Sequence, residues 1–178
     1  MYKHLYDSFR HWYRGGSIYL YSDPHFADEL MSKSRGIADE QQITNIRKKI
    51  GKNDTIIFLG DIGDPTPLKR IKGYKILIMG NHDKGASNYK DYFDEIYEGP
   101  LFISSKLLLS HEPIRYRYAL NIHGHDHGAR NQINLNNYNV CAEFINFTPI
   151  SLKEIVESGI LKNIPDIHRA AIDRAKDR

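Results

Sequence analysis

Five short blocks of the sequence contain the residue types that bind divalent metal ions in proteins. Imidazole nitrogens, carboxylate oxygens and an amide oxygen recur in them at close spacing. In chain order the blocks are Asp23-Pro24-His25, Gly60-Asp61, Gly80-Asn81-His82, Ser110-His111 and Gly124-His125-Asp126-His127. Two adjacent cations need such a set, including one carboxylate able to bridge them. The blocks therefore predict a metal centre.

The spacing within the blocks indicates which side chains lie together. Asp23 and His25 are two positions apart, so in an extended segment they face the same way, and His125 and His127 repeat this spacing. Asp61 follows a glycine that permits a tight turn, which makes its carboxylate the natural bridge. With the amide oxygen and the further imidazole, the predicted ligands are Asp23, His25, Asp61, Asn81, His111, His125 and His127.

The blocks share a position relative to predicted strands. Each follows a short apolar run bounded by Gly, Asp, Asn or Pro, which is typical of a buried strand. These runs are Ile18-Tyr21, Thr55-Leu59, Lys75-Met79, Leu107-Leu109 and Leu120-Ile122. In α/β sheets the loops at the carboxyl ends of strands converge on one crevice. We therefore expect the candidate ligands to meet at that edge.

Helices are predicted where apolar residues recur every three to four positions instead of in continuous runs. Residues 39–49 read as a crossover helix with Asp39 as N-cap and Gln42 as its capping-box partner. Ser151 and Glu154 repeat the capping-box signal before a short helix. Shorter, irregular strands are expected over 93–103, and one more over 140–147.

Taken together, the blocks resemble the ordered motifs of the calcineurin-like metallophosphoesterases. The family pattern is D-x-H, G-D-x-x-D, G-N-H, a lone H and G-H-x-H, and here the second motif reads Gly60-Asp61-Ile62-Gly63-Asp64. The resemblance spans residues 18–152 and looks closest to the small single-domain phosphoesterases. It implies an α/β fold, the four-layer αββα sandwich with two mixed β-sheets and the metal site at the carboxyl ends of the strands.

The resemblance also implies how the ligands are shared between two divalent metal ions. One ion would be held by Asp23, His25, Asp61 and His127, and the other by Asp61, Asn81, His111 and His125. Manganese is the first expectation, with iron, zinc and nickel left open because mixed ligands suit them all. A water shared by the ions would attack phosphorus.

Further residues are implied beyond the ligands. His82 is the candidate general acid, and Asp64 is expected to orient it. The arginine that grips phosphate in some relatives is absent, because Pro65 follows Asp64. Candidates for substrate binding are therefore Arg115, Arg117, Arg130 and His123. The segments 27–37 and 112–119 are expected to be loops that set specificity.

The bulk properties predict a soluble, cytoplasmic protein. The 178 residues suit one domain, divided into an N-terminal extension at 1–16, a phosphoesterase domain at 17–160 and a C-terminal helical tail at 161–178. Whether the aromatic extension packs as a helix or mediates self-association is open. A single cysteine excludes an intrachain disulfide, and no apolar run approaches the roughly 20 residues of a spanning helix. No membrane partner is expected.

The favoured function is hydrolysis of a small phosphorylated substrate, either a phosphomonoester or a phosphodiester. Two alternatives stay open at this point. One is a non-catalytic, metal-binding interaction module on the same fold. The other is a nuclease, because a nucleic-acid partner is possible but not indicated by a net charge of only +3. Oligomeric state is not predicted.

Overall fold

Two mixed β-sheets form the centre of the computed structural model, which describes residues 4–128 and 136–167 together with 174 and 176. The first sheet has the order β4-β3-β2-β1-β9 and the second the order β5-β6-β7-β8. The first contains β1 (Ile18–Tyr21), β2 (Thr55–Phe58), β3 (Tyr74–Ile78), β4 (Glu95–Tyr97) and β9 (Ile150–Ser151). The second contains β5 (Leu101–Ser104), β6 (Leu107–Leu109), β7 (Leu120–His123) and β8 (Asn137–Asn139).

Parallel pairing dominates both sheets. Strands β1 to β4 run parallel, with β9 antiparallel beside β1. Strands β6, β7 and β8 are parallel to one another, and β5 is antiparallel to β6. The prediction of two mixed sheets is confirmed. Parallel neighbours bring the carboxyl ends of β1, β2, β3, β6 and β7 to shared edges.

Apolar layers cover both faces of the first sheet, which explains why its strands are continuous apolar runs in the sequence. Alternate residues of β2 face opposite ways: Ile57 joins the core cluster that also holds β6 and β7, while Ile56 and Phe58 join the outer cluster. Ile43 and Ile46 of the second helix cover that outer face. Because both faces of the first sheet are buried, polar alternation is absent from its central strands.

The aromatic N-terminal segment packs onto the core. A 3-10 helix spans Asp7–Trp12, and Trp12 is fully buried. Its indole Nε1 donates to Glu95 Oε1 at 3.0 Å, and its carbonyl accepts from Thr55 Oγ1 at 2.6 Å. The segment therefore contributes a buried side chain to the same cluster as β1 and β3. The boundary at residue 16 stays a prediction.

The helices differ in part from their predictions. Helix α2 (Asp39–Lys49) has the predicted span, but its N-cap is Ala38 and Gln42 makes no capping box. Gln42 is buried instead and accepts from Tyr21 Oη at 2.8 Å. Helix α3 (Leu152–Glu157) begins at Ser151 with the predicted capping box. The strand expected over 140–147 is wrong, because a 3-10 helix occupies Ala142–Ile145.

A helix was missed in the segment predicted to be a loop. Helix α1 (Glu29–Arg35) begins at Asp28, whose carboxylate accepts from Met31 N, and ends at Gly36 in the left-handed conformation. Neither of its apolar residues, Leu30 and Met31, is buried, so it lacks the apolar stripe by which periodicity reveals a helix. The sequence signals that could have revealed this helix were its cap residues, Asp28 and Gly36. Among the described residues, no helix has the length and apolarity to cross a membrane.

Candidate metal centre

The seven predicted ligands converge at the carboxyl ends of the strands, where they form two groups. In the first group, Asn81 Oδ1 lies 2.8 Å from His111 Nε2 and 3.0 Å from His125 Nδ1. His111 Nε2 is also 3.4 Å from Asp61 Oδ1. Four residues from four different loops thus present their donor atoms to one point.

The second group lies on the other side of the same carboxylate. His25 Nε2 is 3.8 Å from Asp61 Oδ2 and 3.8 Å from Asp23 Oδ1. His127 Nε2 is 3.4 Å from Asp23 Oδ1. Asp61 therefore turns one oxygen toward each group, as a bridging carboxylate would. The backbone of the next loop also holds this carboxylate, because Asp61 Oδ1 accepts from the backbone N–H of His82 at 3.0 Å.

Unpartnered buried atoms show that these donors fit a cation. Asp23 Oδ1 and His25 Nε2 are buried and have no hydrogen-bond partner. Such atoms are costly to bury unless something compensates them. Both lie in the second group, and potential ligand atoms of Asp23, His25 and Asp61 are all within 4.8 Å of one another. The nitrogen and oxygen donors suit manganese, iron, zinc or nickel.

Several ligands have a backbone conformation that L-residues rarely adopt. The φ angles are +56° at Asp23, +48° at His25, +53° at Asp61 and +64° at His125. The prediction that Asp23 and His25 share a face of an extended segment is therefore wrong, because a left-handed turn brings them together. Likewise, His125 and His127 do not act as one claw but join different groups. Strain of this kind is characteristic of functional sites.

Close backbone contact makes glycine necessary beside the bridging carboxylate. Gly60 has φ +90°, and Gly80 leaves no room for a Cβ because Asp61 Oδ1 and the backbone of Asp61 lie against it. A side chain at Gly80 would displace the carboxylate that both groups share. The two glycines thus let the loops after β2 and β3 approach each other.

Asp83 joins these two loops and was not predicted to do so. Its carboxylate accepts from the backbone N–H of Gly80 at 2.7 Å, of Asp61 at 3.1 Å and of Ile62 at 3.0 Å. Tyr89 Oη donates to it as well, at 3.1 Å. Because these donors come from both loops, Asp83 holds the strained backbone of Asp61 in place.

In two of the predicted histidine ligands, a hydrogen bond at Nδ1 leaves Nε2 free to bind a metal ion. His111 Nδ1 lies 2.7 Å from the carbonyl of Leu59, and His127 Nδ1 lies 2.6 Å from Glu143 Oε1. These oxygen acceptors favour the tautomer with its proton on Nδ1, which presents Nε2 as a lone pair toward the ligand groups. The hydrogen bond to Glu143 raises the pKa of His127 above its usual value, against the effect of burial.

Asp23 is held as a carboxylate despite complete burial. Burial raises its pKa, but the nearby His25 ring, the charge of His111 and a hydrogen bond from Ser22 lower that pKa to about 2. Its second oxygen, Oδ2, accepts from Ser22 Oγ at 2.5 Å and from the backbone N–H of His125 at 2.9 Å. Cys141 Sγ donates to the same oxygen at 3.3 Å, and burial raises the pKa of this thiol.

A buried ion pair that the sequence did not reveal lies behind the second group. Arg35 NH2 is 3.3 Å from Glu143 Oε2, and Arg35 NH1 donates to the carbonyl of Asp23 at 2.7 Å. The Arg35 side chain is only 6% exposed. Arg35, Glu143 and His127 are far apart in the sequence, so no local pattern connects them. Together they attach the C-terminal end of α1 to the ligands.

Removing the Glu143 carboxylate should weaken one metal subsite and leave the other intact. In Glu143→Ala, the His127 ring loses the acceptor that orients it, and we expect one ion to bind about 10–100-fold more weakly. Titration of metal-free protein with manganese measures both affinities. Glu157→Ala, at an exposed glutamate paired only loosely with Lys153, is the matched control.

Thermal unfolding of the Glu143→Ala protein accompanies that titration, because its Arg35 is left as a buried unpaired charge. Two manganese ions bound with wild-type affinities in a folded Glu143→Ala protein would contradict the role of the Glu143 carboxylate.

The other predicted residues have varied placements. His82 is exposed and lines the metal cavity, with its ring centroid 6.2 Å from that of His25. The Asp64 carboxylate accepts from the backbone and hydroxyl of Thr66, so its action on His82 stays a prediction. His123 is buried at the end of β7, with Nδ1 2.8 Å from the carbonyl of Gly124, and burial lowers its pKa.

Of the three arginines predicted to bind substrate, two lie among the described residues. Arg115 and Arg117 are exposed, and the guanidinium of Arg117 lies 5.7 Å from the ring centroid of Tyr118. Arg130 lies outside the described residues. The arginine that does contact the ligand groups is Arg35, which sequence analysis did not single out.

The chain is similar to a family profile and to solved structures. A family profile described as Calcineurin-like phosphoesterase matches residues 16–170. The chain is 31% identical to a protein of unknown function from Aquifex aeolicus, with a TM-score of 0.66, and the match covers 79% of this chain and 98% of that one. It is 21% identical to the nuclease MPE from Pseudomonas putida, with a TM-score of 0.48, over 62% of this chain and 61% of that one. No curated protein matches it.

Proposed function

The chain belongs to the calcineurin-like phosphoesterase family, and from this premise we propose that it hydrolyses a phosphomonoester or phosphodiester at a centre of two divalent metal ions. One observation carries the proposal: seven nitrogen- and oxygen-bearing side chains form two groups that share Asp61. Manganese is the proposed metal. Asp23, His25, Asp61 and His127 would hold one ion, and Asp61, Asn81, His111 and His125 the other.

When bound, the ions supply Lewis-acid chemistry, because they polarise the phosphoryl oxygens and lower the pKa of water. The protein's own contribution is to hold the ligands in place before substrate arrives. Asp83 fixes the backbone of Asp61, and Glu143 fixes the ring of His127. Preorganised ligands need no rearrangement as charge develops on the phosphoryl group.

His82 is the proposed general acid. Its backbone N–H donates to Asp61 Oδ1 at 3.0 Å, which places the residue beside the ligands, while its side chain is exposed at the mouth of the metal cavity. That cavity is about 460 Å³ and open to solvent on one side. In the proposed reaction the ring donates a proton to the leaving-group oxygen as the P–O bond breaks.

The rival of another class is a metal-binding module without turnover. Every motif position that binds metal in the family pattern is filled in this chain, which favours the enzyme. A continuous basic strip leading to the ligands would support the nuclease alternative. Instead, the described residues that line the cavity beside His82 include three carboxylates and one lysine.

A metal-supplemented screen tests the proposal directly. The full chain is incubated with manganese and with phosphomonoesters, phosphodiesters, cyclic nucleotides and dinucleotide pyrophosphates. We expect manganese-dependent hydrolysis of a monoester or diester. Tight binding of two ions with no turnover of any substrate would instead favour the binding module.

A further inference from the structure

We propose that the groove beside His82 binds the leaving group of the substrate, and that this group is an uncharged aromatic alcohol such as a nucleoside. The inference rests on the proposed function, because it uses His82 as the proton donor to the leaving oxygen. It goes further in naming what occupies the space on that side of the metal centre.

Position is the first argument. A groove of about 840 Å³ opens directly from the metal cavity, and the two share Asp28, Gly63 and His82 as lining residues. In an in-line displacement the leaving group departs on the side opposite the attacking water. If His82 protonates it, the departing group lies on the His82 side. The groove is the volume that receives it.

The walls of the groove suit a flat apolar ring. Leu30 of α1 lines the groove and is 81% exposed, more than any other large apolar side chain among the described residues. The half-buried Tyr92 also lines the groove, whereas Phe26 and Tyr89, though they line it too, are buried and add little accessible surface. Covering such apolar surface stabilises a bound ring in proportion to the area removed from water. A small aliphatic or fully polar leaving group would leave Leu30 in solvent.

Charge argues against an anionic leaving group. Apart from the ring of His82, the charged groups that line the groove are the carboxylates of Asp28, Glu29 and Asp64 and the single ammonium of Lys84. The Asp28 carboxylate accepts from Met31 N, and the Asp64 carboxylate accepts from Thr66 N. Like charges near the groove disfavour a second anionic group on the substrate. An alcohol without further charge is the class that satisfies both the apolar wall and the acidic rim.

Binding of the alcohol alone tests the groove apart from hydrolysis. We use the zinc-loaded full chain, since zinc is diamagnetic, and titrate it with adenosine while recording amide chemical shifts. Adenosine should shift the amides of Leu30, Lys84 and Tyr92. Leu30→Ala should weaken its binding at least about fivefold. Phe102→Ala is the matched control, because Phe102 is 45% exposed on β5 and does not line the groove.

A kinetic experiment tests the effect of a negative charge on the leaving group. Manganese-loaded protein is given 4-carbamoylphenyl and 4-carboxyphenyl phosphate, which have the same shape but differ by one charge. We expect kcat/KM to be at least about tenfold higher for the uncharged ester.

Unchanged adenosine affinity in Leu30→Ala, or faster hydrolysis of the carboxylate ester, would overturn the proposal while leaving the phosphoesterase function intact. If adenosine bound as expected, with a shift of the Leu30 amide, but no phosphoester were hydrolysed, the phosphoesterase function would be overturned instead.

Discussion

Asp61→Ala protein is expected to lose phosphoester hydrolysis by at least about a thousandfold, which corresponds to about 4 kcal/mol of activation free energy. Asp61 is the only one of the seven predicted ligands whose side chain contacts both groups, through Oδ1 near His111 and Oδ2 near His25. Its removal also leaves the backbone N–H of His82 without its acceptor. Both metal subsites should therefore weaken together, unlike the selective loss expected at Glu143.

The measurement pairs turnover with elemental analysis. Asp61→Asn keeps the shape of the side chain but removes its charge, so it separates the need for a bridging anion from the need for packing. Asp91→Ala, at an exposed aspartate outside the ligand groups, serves as the control for general charge loss. Full manganese-dependent activity in folded Asp61→Ala would show that this carboxylate does not bridge two catalytic ions.

His82→Ala should give the opposite combination, with both metal ions retained and turnover lost by about 10²–10⁴-fold. The retention follows because the His82 ring meets the ligand groups only loosely, with its centroid 6.2 Å from that of His25, while its backbone N–H is kept in the alanine variant. The loss follows because an alkoxide leaving group departs poorly without a proton. Elemental analysis and single-turnover kinetics measure the two effects separately.

The leaving group provides a sharper test of the same residue. With 4-nitrophenyl esters, whose leaving group needs little protonation, the defect of His82→Ala should be small. With alkyl or nucleoside esters it should be large. His4→Ala, at an exposed histidine remote from the ligands, is the control. An equal defect for all leaving groups, or the loss of one metal equivalent, would assign His82 a different role.

Local patterns were sufficient for much of the scaffold. The run Leu107-Leu109 forms a strand with the predicted bounds, and Ser151 begins α3 with the predicted capping box. These features depend on neighbours a few positions apart, through strand burial and through the pairing of N-cap with N3. Helix α1 was missed because such signals are weak where no face is buried.

The sequence by itself determined the family, the two mixed sheets and the identity of the residues that meet at the strand ends. Motif order and apolar runs carry that information along the chain. Only the tertiary structure decided how these residues meet. The left-handed backbone at Asp23 and His25, and the ion pair that joins Arg35 to Glu143, depend on contacts between distant loops.

The physical reason is the range of the interactions. Periodicity and capping report the preferences of a segment for its own local conformation. The strained turn at Asp61 opposes that preference and persists because Asp83, from another loop, binds its backbone. The residue types that could bind metal can therefore be recognised in the sequence. Their arrangement around one shared carboxylate arises from packing across the fold.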